Sequence, residues 1–179
     1  MRDERLKGGL FRGERAQPRL LAVRSGGERQ DETREQIAVI EWARWSARLI
    51  ERMCPLESLA LTWLHHIPNG GLREKKQRTG RTGQLVEYCP AGQRLHAMGV
   101  TRGVFDLLLP WRTELYGGLW IEMKAGRNQL TPEQRQFNTA IFQLGYQTAV
   151  AWTWQEAARA VIRHLALDEK GARYAPVPD

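Results

Sequence analysis

The chain has 179 residues, 42% apolar and 26% charged, which places it among globular proteins large enough for one domain with a proper core. No apolar run is long enough to span a bilayer. Cys54 and Cys89 stand far apart with no Cys-x-x-Cys, which argues against a disulfide framework or zinc site and for a reducing cytosol. The N-terminus has charges but no apolar stretch before a small-residue cleavage site, so no secretory leader is expected. Net charge is +7, from 27 basic and 20 acidic residues, and a basic domain of this kind suits a polyanionic partner, nucleic acid or a membrane surface.

Residues 1–30 read as a basic, flexible tail in which only Leu20 to Val23 is apolar; the alternative is an arm that grips phosphates. Residues 31–168 read as the folded domain and 169–179 as a frayed tail. The first firm element is a helix from about Glu32 to Met53, closed by Pro55, with a buried stripe of Gln36, Ile40, Ala43, Ala47 and Ile50. One turn back, that stripe reaches Glu32, so two polar residues occupy the inward face. Either the helix start projects past the core into water, or it delivers a carboxylate and an amide to a site at the sheet edge. Trp42 and Trp45 read as packing residues.

Ser58 to Ile67 reads as a strand, followed by the turn signal Pro68-Asn69-Gly70-Gly71. His65 and His66 would face opposite ways on it, so at most one can join any one site. Leu72 to Pro90 reads as a mobile basic loop: Arg73, Lys75, Lys76, Arg78 and Arg81 lie in it, with a duplicated Arg-Thr-Gly. A solvated loop and a phosphate-gripping loop both fit. A short helix from Ala91 to Met98 follows, with Leu95 and Met98 inward and Gly99 just past its end.

Two strands then carry misplaced charge. Gly103 to Leu109 is broken by Asp106, and Gly118 to Lys124 by Glu122 and Lys124. The connection from Pro110 to Gly117 suits an antiparallel hairpin. Alternation puts Trp120, Glu122 and Lys124 on one face, and Asp106 with Val104 and Leu108. If the polar faces coincide, Asp106 and Glu122 lie on adjacent strands, with Cβ atoms roughly 4.5–5.5 Å apart when directly opposed. Two carboxylates that close repel unless a cation lies between them, and hard oxygen ligands suit Mg²⁺. The Met123 backbone carbonyl could add a ligand, and Lys124 could hold a water or neutralise a phosphate. Acid, acid, metal and lysine make a phosphodiester hydrolysis site. The competing reading is a Glu122–Lys124 salt bridge on an exposed sheet face.

Thr131-Pro132-Glu133-Gln134 opens a helix with N-cap, N1 proline and capping box; Phe137, Ala140, Ile141 and Leu144 form its inner stripe and Gly145 ends it. Tyr146 to Trp152 reads as a strand and Gln155 to Leu167 as a last amphipathic helix. The order predicts an α/β domain with a small mixed sheet flanked by helices.

Several stretches in the right order carry a resemblance: Glu32-Thr-Arg-Glu-Gln36, His66-Ile-Pro-Asn-Gly-Gly71, Met98-Gly-Val-Thr-Arg-Gly-Val-Phe-Asp106, Gly118-Leu-Trp-Ile-Glu-Met-Lys124 and Leu130-Thr-Pro-Glu-Gln134. Over about Glu32 to Leu167 the chain resembles the VRR-NUC family of the PD-(D/E)xK nuclease superfamily, in particular its stand-alone phage and bacterial members. The resemblance implies a restriction-endonuclease-like core and a metal-dependent endonuclease acting on DNA, selective for four-way junctions or other branched structures. It implies that Asp106 and Glu122 bind Mg²⁺ or Mn²⁺, that Lys124 positions the water, and that Glu32 stands at the metal directly or through water. Gln36 would support the site, as would Gln134, for which the capping box is an equal explanation. It further implies a homodimer, no membrane partner, and a cytoplasmic location in a bacterium or phage-infected cell. The alternative function is a nucleic-acid-binding module without catalysis; a protein-interaction domain using exposed tryptophans is a third. The chain departs from the family in one place. Phe105 stands where proline usually precedes the aspartate, and it is expected to turn toward the core while Asp106 keeps its place.

Overall fold

The computed structural model describes residues 27–68, 76–79, 81 and 83–178. The tail reading for residues 1–26, the turn at Asn69 to Gly71, and Arg73 and Lys75 lie outside the described residues. Helix α1 runs Gly27–Ile50, so it starts inside the stretch read as tail. It buries Val39, Trp42, Ala43, Ser46, Ala47 and Ile50. Ala43, Ala47 and Ile50 belong to the expected stripe, but its centre is rotated toward Val39 and Trp42, leaving Ile40 half-buried. The chosen residues were one edge of a wider apolar arc.

Pro55 does not close α1; it opens α2, Pro55–Thr62, as its first helical residue after Cys54, a position where its missing N–H loses nothing. The first half of the run read as a strand, Ser58 to Thr62, is therefore helix. Short apolar runs fit either period, and packing decides. Ser58, Ala60 and Leu61 face inward, and the Ser58 hydroxyl donates to the Ala47 carbonyl at 2.8 Å, holding α2 against α1. Leu56, Leu59 and Trp63 are left exposed. Only His65–His66 form a strand, β1.

The stretch read as a mobile basic loop contains an antiparallel hairpin, β2 (Lys76–Thr79) with β3 (Leu85–Tyr88), separate from the main sheet. The run Leu-Val-Glu-Tyr has strand alternation, and the repeated Arg-Thr-Gly supplies the turn, where Arg81 is exposed. Helix α3, Pro90–Ala97, ends in a Schellman motif: Val100 N–H donates to Leu95 O and Gly99 N–H to His96 O, with Gly99 at φ +91°. Met98, expected inward, is exposed because it is the C-cap and the chain reverses there.

The main sheet has the order β1-β4-β5-β6, with β4 at Leu107–Leu109, β5 at Leu119–Met123 and β6 at Gln147–Ala151. β1, β4 and β5 are antiparallel in turn, while β5 and β6 are parallel, joined through α4 (Pro132–Gln143). One face of the sheet, Leu107, Leu109, Leu119, Ile121 and Met123, is fully buried against α1 and the last helix, α5 (Trp154–Leu165). The other face carries Trp120, which meets Phe137 of α4 edge-on at 5.2 Å. This is the small mixed sheet flanked by helices that the pattern predicts. No helix among the described residues is long and apolar enough to cross a membrane.

Two further expectations differ. α4 buries no residue fully; Phe137 and Ile141 are half-buried, and Ala140 and Leu144 are exposed. Periodicity shows which residues share a stripe, not how far the facing surface extends. The C-terminal segment does not fray against solvent. The Trp42 indole Nε1 donates to Ala175 O at 2.9 Å, the Ser46 hydroxyl accepts from Ala175 N–H at 2.9 Å, and Tyr174 lies edge-on to Trp42. Ala172 and Ala175 are small enough to let this backbone lie on α1.

Trp42→Phe keeps most of the apolar contact but strips the buried Ala175 carbonyl of its donor. A loss of about 1 kcal/mol is expected, read as a lower urea midpoint at unchanged slope.

Candidate active site

The register of the hairpin sets the site. Leu107 pairs with Ile121 and Leu108 with Trp120, so one step further Asp106 falls opposite Glu122. Asp106 sits just before β4, where Ile67 N–H donates to its carbonyl at 2.7 Å and the His66 ring Nδ1 lies 3.0 Å from the same oxygen. Its side-chain Oδ2 accepts from Met123 N–H at 2.9 Å, across the strands. Sequence reasoning looked to the Met123 carbonyl; the contact made here is by its amide. His66 is one of the two histidines of which at most one could join a site. The structure instead gives its ring a hold on the Asp106 backbone.

Glu122 is 2% exposed and Lys124 6% exposed. The reading of these two as a salt bridge on an open sheet face is therefore wrong about the face, although the pair exists: Lys124 Nζ donates to Glu122 Oε1 at 2.9 Å. Gln134 completes a closed set. Its amide nitrogen donates to the same Glu122 Oε1, and its amide oxygen accepts from Lys124 Nζ at 2.8 Å and from Thr131 N–H at 2.9 Å. One amide therefore closes the capping box and also reaches the Glu122–Lys124 pair. With Oε1 shared, Glu122 Oε2 is left buried with no hydrogen-bond partner among the described residues.

Glu32 reaches the same end of β5, where its Oε1 accepts from Ala125 N–H at 3.0 Å. The projection of the helix start into open water is thereby excluded. Gln36 lies half-buried one turn on. Glu35, which sequence reasoning passed over, accepts from Trp154 N–H at 2.7 Å and so ties α1 to the first turn of α5. Nothing in a single sequence pairs positions 119 residues apart.

Burial pushes the Glu122 carboxyl up to about 7, with the Asp106 charge adding to the rise and Lys124 opposing it. Asp106 is raised too, chiefly by burial, against the Met123 amide and the nearby His66 and Lys124. Glu32 adds to both shifts. Among the described residues no three His, Cys, Asp or Glu side chains converge tightly enough to hold an ion by themselves. Asp106 and Glu122 face each other across the strands closely enough for the Asp106 charge to raise Glu122, and Glu32 stands on the Ala125 amide.

Phe105 is fully buried, as expected for a residue turned from water, and Asp106 keeps its place. Its ring, however, packs on Phe137 of α4 at 5.3 Å rather than in the main core. Gly103 presses even closer: at φ +84°, a Cβ there would lie 2.5 Å from the Glu133 carbonyl carbon. The segment leading to Asp106 is therefore seated directly on the first turn of α4, one residue from Gln134.

Fold comparison matches this arrangement to a solved structure described as a "VRR_NUC domain protein", at TM-score 0.52 and 21% identity over 76% of this chain and 88% of that one. The chain has the VRR_NUC fold. At that identity the likeness establishes the architecture, and no protein-family model or curated protein matches the sequence. Within the VRR_NUC fold, Asp106, Glu122, Lys124, Gln134 and Glu32 come together as expected. Of the basic residues assigned to nucleic acid, Arg81 is exposed on the β2–β3 turn; Lys76 and Arg78 belong to β2, with side chains outside the described residues.

The raised Glu122 value has a definite sign. Between the ordinary 4.5 and about 7, the folded chain keeps a proton that the unfolded chain has released. Its contribution is most favourable below 4.5 and is lost as pH rises through about 7. Without divalent metal, Glu122→Gln is expected to flatten this decline and to raise stability at pH 8, by at most about 3 kcal/mol, in urea titrations run across pH.

Proposed function

We propose that the chain is a metal-dependent endonuclease that hydrolyses phosphodiester bonds in DNA. The observation that carries this reading is Glu122 Oε2, an oxygen buried with no hydrogen-bond partner among the described residues, on a residue set across the strands from Asp106. Leaving such an oxygen unpaired is costly unless something cationic takes it up. Two buried carboxylates raised by burial and by each other fit a divalent cation. Mg²⁺ in particular uses one or two carboxylates and fills its remaining positions with water. Asp106 and Glu122 would hold the ion, with the Met123 carbonyl and, through water, Glu32 as further oxygens. When bound, Mg²⁺ or Mn²⁺ supplies Lewis-acid polarisation of the phosphoryl oxygen and an acidified water.

The chain's own groups do the rest. Lys124 Nζ, held by Glu122 and Gln134, presents a fixed positive charge to the phosphoryl group as negative charge develops on it. Gln134 orders that ammonium and keeps Glu122 Oε1 occupied, so that Oε2 would be the oxygen left to hold a cation. The Phe105, Trp120 and Phe137 rings pack under α4 and keep that side of the site dry. The VRR_NUC fold and the positive balance of the chain support a nucleic-acid substrate. The preference for branched DNA and the homodimer rest on the family resemblance.

Cleavage of duplex, flap and four-way-junction DNA, with and without Mn²⁺, tests the reading. Metal-dependent cutting that falls at least about 10³-fold in Glu122→Gln and in Lys124→Ala is expected. Full activity in either variant overturns the mechanism, and salt-sensitive binding with no cutting of any substrate favours the binding module. For the assembly, light scattering is expected to give twice the chain mass of 20.6 kDa.

A further inference from the structure

A second polar site lies beside the acidic one. The Schellman motif that ends α3 folds Val100, Thr101 and Arg102 back over that helix. Together with Cys89, Gly92, Gln93 and His96 they enclose a cleft of about 410 Å³. Arg102 is the charged residue of its lining, with Gln93, His96 and Thr101 as polar neighbours, and the chain contains no acid between Glu87 and Asp106. The cleft is also built rather than incidental, since its loop is pinned by two backbone hydrogen bonds of 3.0 Å at Gly99 and Val100.

Its position relative to Asp106 is fixed. Arg102 stands four residues before Asp106, a span of at most about 14 Å even for extended chain. Gly103, next to it, is pressed on Glu133, and Gln134 follows with its contacts to Glu122 and Lys124. Glu133, exposed on the first turn of α4, is held below the ordinary carboxylate range by backbone and Thr131 hydrogen bonds, and the charge of Arg102 adds to that lowering.

We infer that this cleft is a binding subsite for a backbone phosphate of the nucleic-acid strand whose neighbouring phosphodiester lies at Asp106 and Glu122, with Arg102 as its principal cation and Gln93, His96 and Thr101 as polar lining. The inference rests on the nuclease reading. The physical need is plain: an acidic centre repels an approaching strand, and a cationic cleft fixed beside it supplies the attraction and sets which phosphate is presented. Arg suits the role, because its planar fork of donors matches phosphate oxygens. The cleft is a different surface from the β2–β3 hairpin, to which the basic run of the sequence points.

The test is binding of a fluorescent DNA junction, measured by anisotropy without divalent metal, for the full chain and for Arg102→Ala and Arg48→Ala. Arg48 is an exposed arginine in the last turn of α1 and removes the same charge at a distance. Arg102→Ala is expected to weaken binding about tenfold, to lower the salt slope by about 0.9, and in the cleavage assay to raise KM with little change in kcat. Arg48→Ala is expected to change each much less. Equal effects of the two variants, or no binding by the full chain, overturn the subsite. If the effects are equal while Glu122→Gln still abolishes cutting, only the subsite falls. Arg102-dependent binding by a chain that never cuts would uphold the subsite and overturn the cleavage reading.

Discussion

The constraint on which this structure turns is the burial of a carboxylate in a sheet. Glu122 lies at 2% exposure one residue before the end of β5, on the strand that pairs with both β4 and β6. A charge there has no access to bulk water, and the structure compensates it only halfway. Lys124 and Gln134 satisfy one oxygen, while the other has no hydrogen-bond partner among the described residues. A site fully satisfied from within would bind nothing. The half-satisfied state is maintained by the rest of the fold, whose main core buries the opposite face of the same strands.

Three elements hold the polar face in place, each by a different kind of contact. The β4–β5 register sets Asp106 across from Glu122 and is itself enforced by apolar alternation, since slipping by one residue would turn Leu119, Ile121 and Met123 out of the core. Helix α4 is anchored by its capping box, and the side chain that closes the box is the one that bridges Glu122 and Lys124. Helix α1 sends Glu32 to the Ala125 amide and Glu35 to the start of α5, so the turns that carry these two residues are tied down even though the sequence around them is polar. The lead-in to Asp106 is seated on α4 by Gly103 and Phe105. Where the resemblance leads one to expect proline, Phe105 packs on Phe137.

Much of this was legible in order and type. Period-2 alternation with three misplaced charges identified the β4–β5 hairpin and the face that Asp106, Glu122 and Lys124 share. The Thr131-Pro132-Glu133-Gln134 signature located the start of α4 to the residue, because capping is local chemistry within one turn. The same local logic misread Ser58 to Thr62, where a short apolar run fits strand and helix equally and only the packing of Ser58 on Ala47 selects the helix. It also read the C-terminal segment as frayed, since Trp42 and Ser46 lie more than 120 residues away from the Ala175 backbone they hold.

The sequence by itself determined which residues could do chemistry: an acid in each of two apolar strands, a lysine two residues on, and an acid at the head of an amphipathic helix. Side-chain periodicity encodes these directly, because it depends only on neighbours along the chain. Only the tertiary structure decided that Glu122 and Lys124 are buried rather than solvated, that Gln134 serves the cap and the site at once, that Oε2 is the oxygen left bare, and that Arg102 borders a cleft beside them. Each of those depends on what α1, α3 and α4 place against the strands, and such long-range contacts leave no periodic mark in a single sequence.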